Sequence, residues 1–243
     1  MTIKLIPESG ERALIVGQTG SGKTAFAVWL LFRIPYAPII LYDTKDEAKF
    51  DKLPNSRIVE TIKQMHEAYE DISLDYIVVR PPVEILGNPD QLDEYLFFHY
   101  NHMRHSVAYI DEAYTFHANG RPYKGLIALL SRGRSRGITT IISSQRPAML
   151  SRLAITEAQK VFVFRLNDKQ DRKRLSDVIP NFDTYPLPIK HGFYFFESGE
   201  DNPHLFRPVK LDGEQNTGYT DTQPANVNDA KGNNTDASKH LWV

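Results

Sequence analysis

Short apolar runs rich in β-branched and aromatic residues recur along the chain at Ala13–Val16, Pro38–Tyr42, Tyr76–Val79, Val107–Ile110, Thr139–Ile142, Val161–Phe164 and Phe193–Phe196. Each is nearly continuous in hydrophobicity rather than alternating, which is how strands covered on both faces look, so a sheet parallel at its centre is expected. Between these runs lie helical patterns at Lys23–Arg33, Ile62–Glu70, Asp90–Met103, Lys124–Arg132 and Lys169–Val178. Strand and helix in alternation predict an α/β fold, a mostly parallel central sheet with helices on both faces.

The pattern stops abruptly. From residue 212 to 243 the chain is rich in Asn, Thr, Asp, Gly and Gln, with too little apolar surface to offset the entropy of ordering, so a domain over residues 1–211 and a flexible polar tail over 212–243 are expected. The tail ends on Leu241-Trp242-Val243, an apolar tip that either docks on a partner or frays. A length of 243 residues suits one α/β core. The absence of cysteine excludes disulfides, thiolate metal sites and a thiol nucleophile. The longest apolar run, Ala25 to Phe32, is far shorter than the ~20 residues of a membrane span, and the N-terminus lacks a signal-peptide pattern, so a cytosolic location is expected.

Net charge is −1, yet Arg121 to Arg174 holds thirteen Lys or Arg and three acids, a formal +10 that leaves −11 for the rest. More than a fifth of the chain so biased points to a face that meets polyanions.

Two segments carry chemistry. Gly17-Gln18-Thr19-Gly20-Ser21-Gly22-Lys23-Thr24 fits G-x-x-x-x-G-K-[ST] between an apolar strand and an apolar helix. Glycines let successive N–H groups curl toward phosphate oxygens and the helix N-terminus adds its positive end, while Lys23 is placed for the β/γ-phosphates of ATP and the Thr24 hydroxyl for Mg2+. Ser106 to Ile110 forms a strand ending in Asp111-Glu112. A carboxylate at a strand tip beside such a loop can hold the Mg2+ shell through water, and its neighbour faces the attacking water, so Asp111 is assigned to the metal and Glu112 to general base catalysis.

The strand at Ile138–Ile142 leads into Ser143-Ser144-Gln145-Arg146-Pro147, where Gln145 is either a sensor of the γ-phosphate or a turn cap. Before it, Arg132, Arg134 and Arg136 crowd one helix end. Guanidinium geometry suits phosphate, so these arginines read as a finger into a neighbouring subunit's ATP site, as contacts to a nucleic-acid backbone, or as solvated cations at a helix C-terminus.

Taken in order, the strand and P-loop, LYDTK with Asp43 and Lys45, AYIDEAY, and SRGRSRGITTIISSQRP resemble the FtsK–HerA superfamily of ring-shaped DNA-pumping ATPases. At this compact size the resemblance is greatest to the genome-packaging ATPases of tailless, internal-membrane-containing double-stranded DNA viruses, and it spans residues 11 to 197. It implies a P-loop NTPase fold of the ASCE, RecA-like type and an ATP-driven translocase pumping double-stranded DNA into a preformed capsid. It also implies a homo-oligomeric ring, a hexamer by first expectation, with ATP between subunits and DNA in the pore. Lys23, Thr24, Asp111, Glu112, Gln145 and a trans-acting Arg among Arg132, Arg134 and Arg136 are the site residues it implies. Asp43 matches an acidic residue that such proteins carry after their second strand, with no role evident. Capsid-vertex or membrane proteins of the virion are the implied partners, and host cytoplasm and virion the implied locations. Competing readings are a filamentous-phage assembly or secretion-type ATPase acting on protein, a small-molecule phosphotransferase, and a nucleotide-holding structural protein at a capsid vertex.

Overall fold

The computed structural model describes residues 4–36, 38–118 and 121–209. The tail expected from residue 212, with its apolar tip, lies outside the described residues. Strands are β1 (Arg12–Val16), β2 (Ile39–Tyr42), β3 (Ser56–Val59), β4 (Tyr76–Val79), β5 (Val107–Ile110), β6 (His117–Ala118), β7 (Arg121–Pro122), β8 (Thr139–Ser144), β9 (Lys160–Val163), β10 (Phe193–Glu197) and β11 (His204–Phe206). Helices are α1 (Lys23–Leu31), α2 (Ile62–Tyr69), α3 (Val83–Leu86), α4 (Pro89–His102), α5 (Lys124–Arg132), α6 (Arg152–Thr156) and α7 (Lys169–Leu175).

Nine strands form one sheet in the order β11-β10-β9-β1-β8-β5-β2-β4-β3, and β6-β7 make a small separate ribbon. From β9 across to β3 every pairing is parallel, whereas β10 runs antiparallel to β9 and to β11. Each apolar run seen in the sequence falls on a strand of this sheet. Their continuous hydrophobicity has a plain cause: Leu14 and Val16 pack on one face while Ala13 and Ile15 pack on the other, both fully covered. Successive side chains of a strand point to opposite faces, so covering both leaves no position turned to solvent.

The two faces are clothed unequally. Among the described helices, only α1 gives its buried residues (Phe26, Ala27, Trp29, Leu30, Leu31) to one face, where they meet a cluster of Phe162, Phe164, Phe193 and Phe195. Buried apolar residues of α2, α4, α5, α6 and α7 join the other. Local signals set several boundaries: Thr61 and Gln64 form a reciprocal capping box at α2, and Asn88 caps α4 ahead of Pro89.

Candidate nucleotide site

Three adjacent parallel strands, β1, β8 and β5, end at the same edge of the sheet, so the segments that follow them are neighbours in space. That edge gathers the P-loop after β1, Asp111-Glu112 after β5 and Gln145 after β8. Topology thus brings together residues more than a hundred positions apart.

Backbone bonds lash the P-loop to its surroundings: Gly17 N–H donates to the Ser144 carbonyl (3.2 Å) and Gln18 N–H to that of Arg165 (2.9 Å). The Gln18 side chain accepts from the Asn167 N–H (3.2 Å). Gly22, at the head of α1, has a φ of 100°, left-handed territory that glycine occupies without strain. A cleft of about 220 Å³ opens above, lined by Gln18 to Gly20, Gly22 to Ala25, Glu47, Lys49 and Gln145.

This cleft fits a phosphate chain. Lys23 is 5% exposed, yet its ammonium has no partner among the described residues. The Ser21 hydroxyl is buried and unpartnered as well. A covered lysine stem whose ammonium has no counter-ion, beside a buried free hydroxyl, gives the loop the charge and donors of an anion cradle.

Asp111 is 2% exposed and its Oδ1 accepts from Ser143 Oγ (2.7 Å) and Tyr109 OH (3.1 Å). Its Oδ2 makes no hydrogen bond among the described residues, which leaves it free to serve a metal's water shell. No group of three or more His, Cys, Asp or Glu poised to hold a metal occurs among the described residues. A hydroxyl, one carboxylate and the ligand's own phosphates suffice for Mg2+, so Thr24 and Asp111 remain the residues suited to it.

Glu112 is fully enclosed and sits at φ 54°, an uncommon left-handed backbone for a residue with a side chain. The kink turns its carboxylate away from Asp111 into a set of three contacts. Oε1 accepts from the Gln145 N–H (2.8 Å) and Ser144 Oγ (3.2 Å), while Oε2 pairs with Lys45 Nζ (2.7 Å). Burial disfavours the Lys45 charge, but the hydrogen bond and charge of Glu112 outweigh it and leave the ammonium's pKa raised. Gln145 in turn accepts from Thr19 Oγ1 (2.5 Å), so its side chain spans the P-loop while its backbone holds Glu112.

Lys45, named in the LYDTK motif without a role, and Arg80, which no motif included, are also site residues. Asp43, left without a role by the sequence, proves to anchor the loop after β2, accepting from the N–H groups of Lys45 (3.2 Å) and Glu47 (2.9 Å) and from Arg80 Nε (2.9 Å).

The arginine cluster is not at this edge. It precedes β8, whereas Gln145 follows it, so six residues at ~3.3 Å each, about 20 Å, separate Arg136 from the cleft. Within the cluster the three arginines differ. Arg136 donates to the Asn101 carbonyl (2.7 Å) and lies over the Tyr100 ring (4.7 Å), whereas Arg132 and Arg134 are exposed with no side-chain partner among the described residues. Arg132 and Arg134 line an open cavity of about 650 Å³ with Arg12 and Tyr100.

Several solved structures of nucleotide-binding proteins share this architecture. The chain matches the genome-packaging NTPase B204 of Sulfolobus turreted icosahedral virus 2, determined with ATP-gammaS, at a TM-score of 0.65 and 16% identity, covering 83% of this chain and 98% of that one. The fold is that of a P-loop NTPase. The cytoplasmic domain of the Thermomonospora curvata type VII secretion ATPase EccC matches at a TM-score of 0.58 and 17% identity, over 86% of this chain and 26% of that one. In sequence, the P-loop NTPase is 28% identical to the DNA packaging ATPase P9 of Enterobacteria phage PRD1 over 225 residues, 86% of this chain and 91% of P9. No family model matches.

Proposed function

We propose that this P-loop NTPase is an ATP-driven motor that moves double-stranded DNA into a preformed viral capsid. The observation that carries the reading is the meeting, at one sheet edge, of an anion cradle with an unpaired buried lysine, a strand-tip Asp-Glu pair and a strand-tip glutamine. Likeness in sequence to a phage packaging ATPase along nearly the whole of both chains supplies the direction.

Lys23 and the P-loop amides bind the phosphates, and Thr24 with Asp111 hold Mg2+, which when bound neutralises charge on the β- and γ-phosphates. Glu112 accepts the proton of the attacking water, and Gln145 orients that water and links the γ-phosphate position to the P-loop through Thr19. Arg132 and Arg134 precede β8, whose length of about 20 Å leads to their own cleft, and serve instead the ATP site of an adjacent copy in a homo-oligomeric ring, a hexamer in our reading. Among the described residues no helix is long and apolar enough to cross a membrane, so attachment to the packaging vertex of the virion rests on capsid or membrane proteins.

Steady-state ATP hydrolysis with and without long double-stranded DNA tests this. DNA should stimulate turnover, the stimulation should fade as salt rises, and Glu112→Gln should lower turnover by about 10²-fold or more while ATP still binds. Turnover indifferent to DNA at low salt would move the assignment to a motor acting on protein.

A further inference from the structure

The segment LYDTK supplies more than a family signature. Because β2 neighbours β5, the loop leaving β2 at Asp43 passes beside the Asp111-Glu112 turn. Asp43 is 1% exposed and binds two backbone N–H groups of that loop together with Arg80 Nε. Arg80, just past the end of β4, also pairs with Asp46 (2.8 Å) and Asp51 (2.7 Å), so the loop is tied on both sides. On this platform the Lys45 ammonium stands 2.7 Å from Glu112 Oε2.

Both neutral donors to Glu112, Ser144 Oγ and the Gln145 N–H, bind Oε1, so Lys45 is the sole partner of Oε2 among the described residues. Two donors on one oxygen leave the carboxylate plane free to turn; a third on the other oxygen fixes it. Lys45, like Glu112 itself, is set back from the lining of the phosphate cleft. Resting on the ATPase reading above, we propose that Lys45 is a positioning residue that sets the direction of the Glu112 carboxylate for hydrolysis, with Asp43 and Arg80 serving to place Lys45.

The test uses the full chain, with ATP turnover under DNA-stimulated conditions and binding of a fluorescent ATP analogue. Lys45→Met should lower kcat by about 10²-fold, the order expected when a catalytic group loses its aim, with KM and analogue affinity little changed. Lys45→Arg, whose guanidinium reaches the same oxygen, should recover most of the loss. Asp43→Asn should show the same split between kcat and KM, and in single-turnover assays Lys45→Met should cost nothing further in a Glu112→Gln background. Turnover by Lys45→Met equal to or faster than wild type, a loss confined to KM, or an undiminished loss in the Glu112→Gln background would each overturn the proposal. Wild-type turnover by Glu112→Gln would overturn the reading of the site itself, and the role of Lys45 with it.

Discussion

Gly17 opens the P-loop where there is no room for a side chain: a Cβ there would lie 2.5 Å from Phe164 Cβ and 2.6 Å from Ser21 Oγ. Gly17→Ala must therefore push the loop off its bed, and we expect at least a tenfold loss of nucleotide affinity, about 1.4 kcal/mol, with an unaltered circular dichroism spectrum. Wild-type affinity in that variant, read by titration with a fluorescent analogue, would mean that the loop is not the phosphate cradle. At this scale the sequence is most readable where chemistry is local. The P-loop, and an acid pair ending a strand, declare themselves because neighbours in sequence do the work together. Lys45 and Arg80 do not, because their partners depend on β4, β2 and β5 lying side by side, an order that no local pattern encodes. Asp43 was visible as a motif residue and opaque as chemistry for the same reason.

At the level of elements, α4 and α5 cross at Gly125, whose Cβ would meet Asp93 Oδ1 and Leu96 Cβ at 2.7 Å and the Phe97 backbone nitrogen at 2.8 Å. The Gly125 N–H donates to that same Asp93 carboxylate at 2.7 Å. Gly125→Ala forces the helices apart and should destabilise the chain by roughly 1–3 kcal/mol, seen as a lower urea midpoint with unchanged slope. His99 of α4 is wholly buried, bridging Tyr42 and Ser106, and burial pushes its pKa down from 6.5 to about 3. Unfolding restores the ordinary value, so below pH 6.5 the unfolded chain binds a proton that the native chain refuses, and stability falls with pH by about 1.4 kcal/mol per unit. Urea unfolding should show stability dropping by about 1 kcal/mol between pH 6.5 and about 5.5, as the slope builds toward that limit, and His99→Gln should flatten the profile.

Strands covered on both faces were legible as unbroken apolar runs, and α1, α2, α4, α5 and α7 as the stretches between them, whereas α3 and α6, at four and five residues, are too short to show a period. β3 and β11 were not, being strands at the two edges of the sheet, where burial is partial and Ser56, Arg57 and His204 break the apolar pattern. The sequence also did not reveal that, among the described α-helices, α1 alone packs on one face of the sheet, since periodicity reports that a helix has a buried side and not which face it covers.

For the whole molecule, charge along the sequence proved a coarse guide. Of the cations that make residues 121–174 so basic, Lys160 pairs with Glu197 (2.5 Å), Arg172 donates to the carbonyls of Phe182, Asp183 and Tyr185, and Arg136 is pinned to α4. These hold the fold together, and what remains for polyanions is smaller than the count implied. Arg132 and Arg134 have no side-chain partner among the described residues, and a role in trans makes a distinct prediction. Lys23→Ala and the double variant Arg132→Ala/Arg134→Ala should each be inactive alone, and mixing them should restore part of the turnover. Arg136→Ala should instead act through stability, by a lower melting temperature. Mixtures as inactive as their components would place the arginine function within one chain.

One strand, β8, carries Gln145 off one end and the arginine segment off the other. A contact that joins the cleft edge of one copy to the arginine edge of the next uses a different patch on each partner, and every copy added leaves one patch still unsatisfied. Such an interface is heterologous: it ends only by closing on itself as a ring, or else runs on as a filament. It also has a sense of direction. Because a single strand links the donor of one contact to the receiver of the other, nucleotide state would pass around the closed assembly one way, which gives such a motor an intrinsic handedness in its firing order.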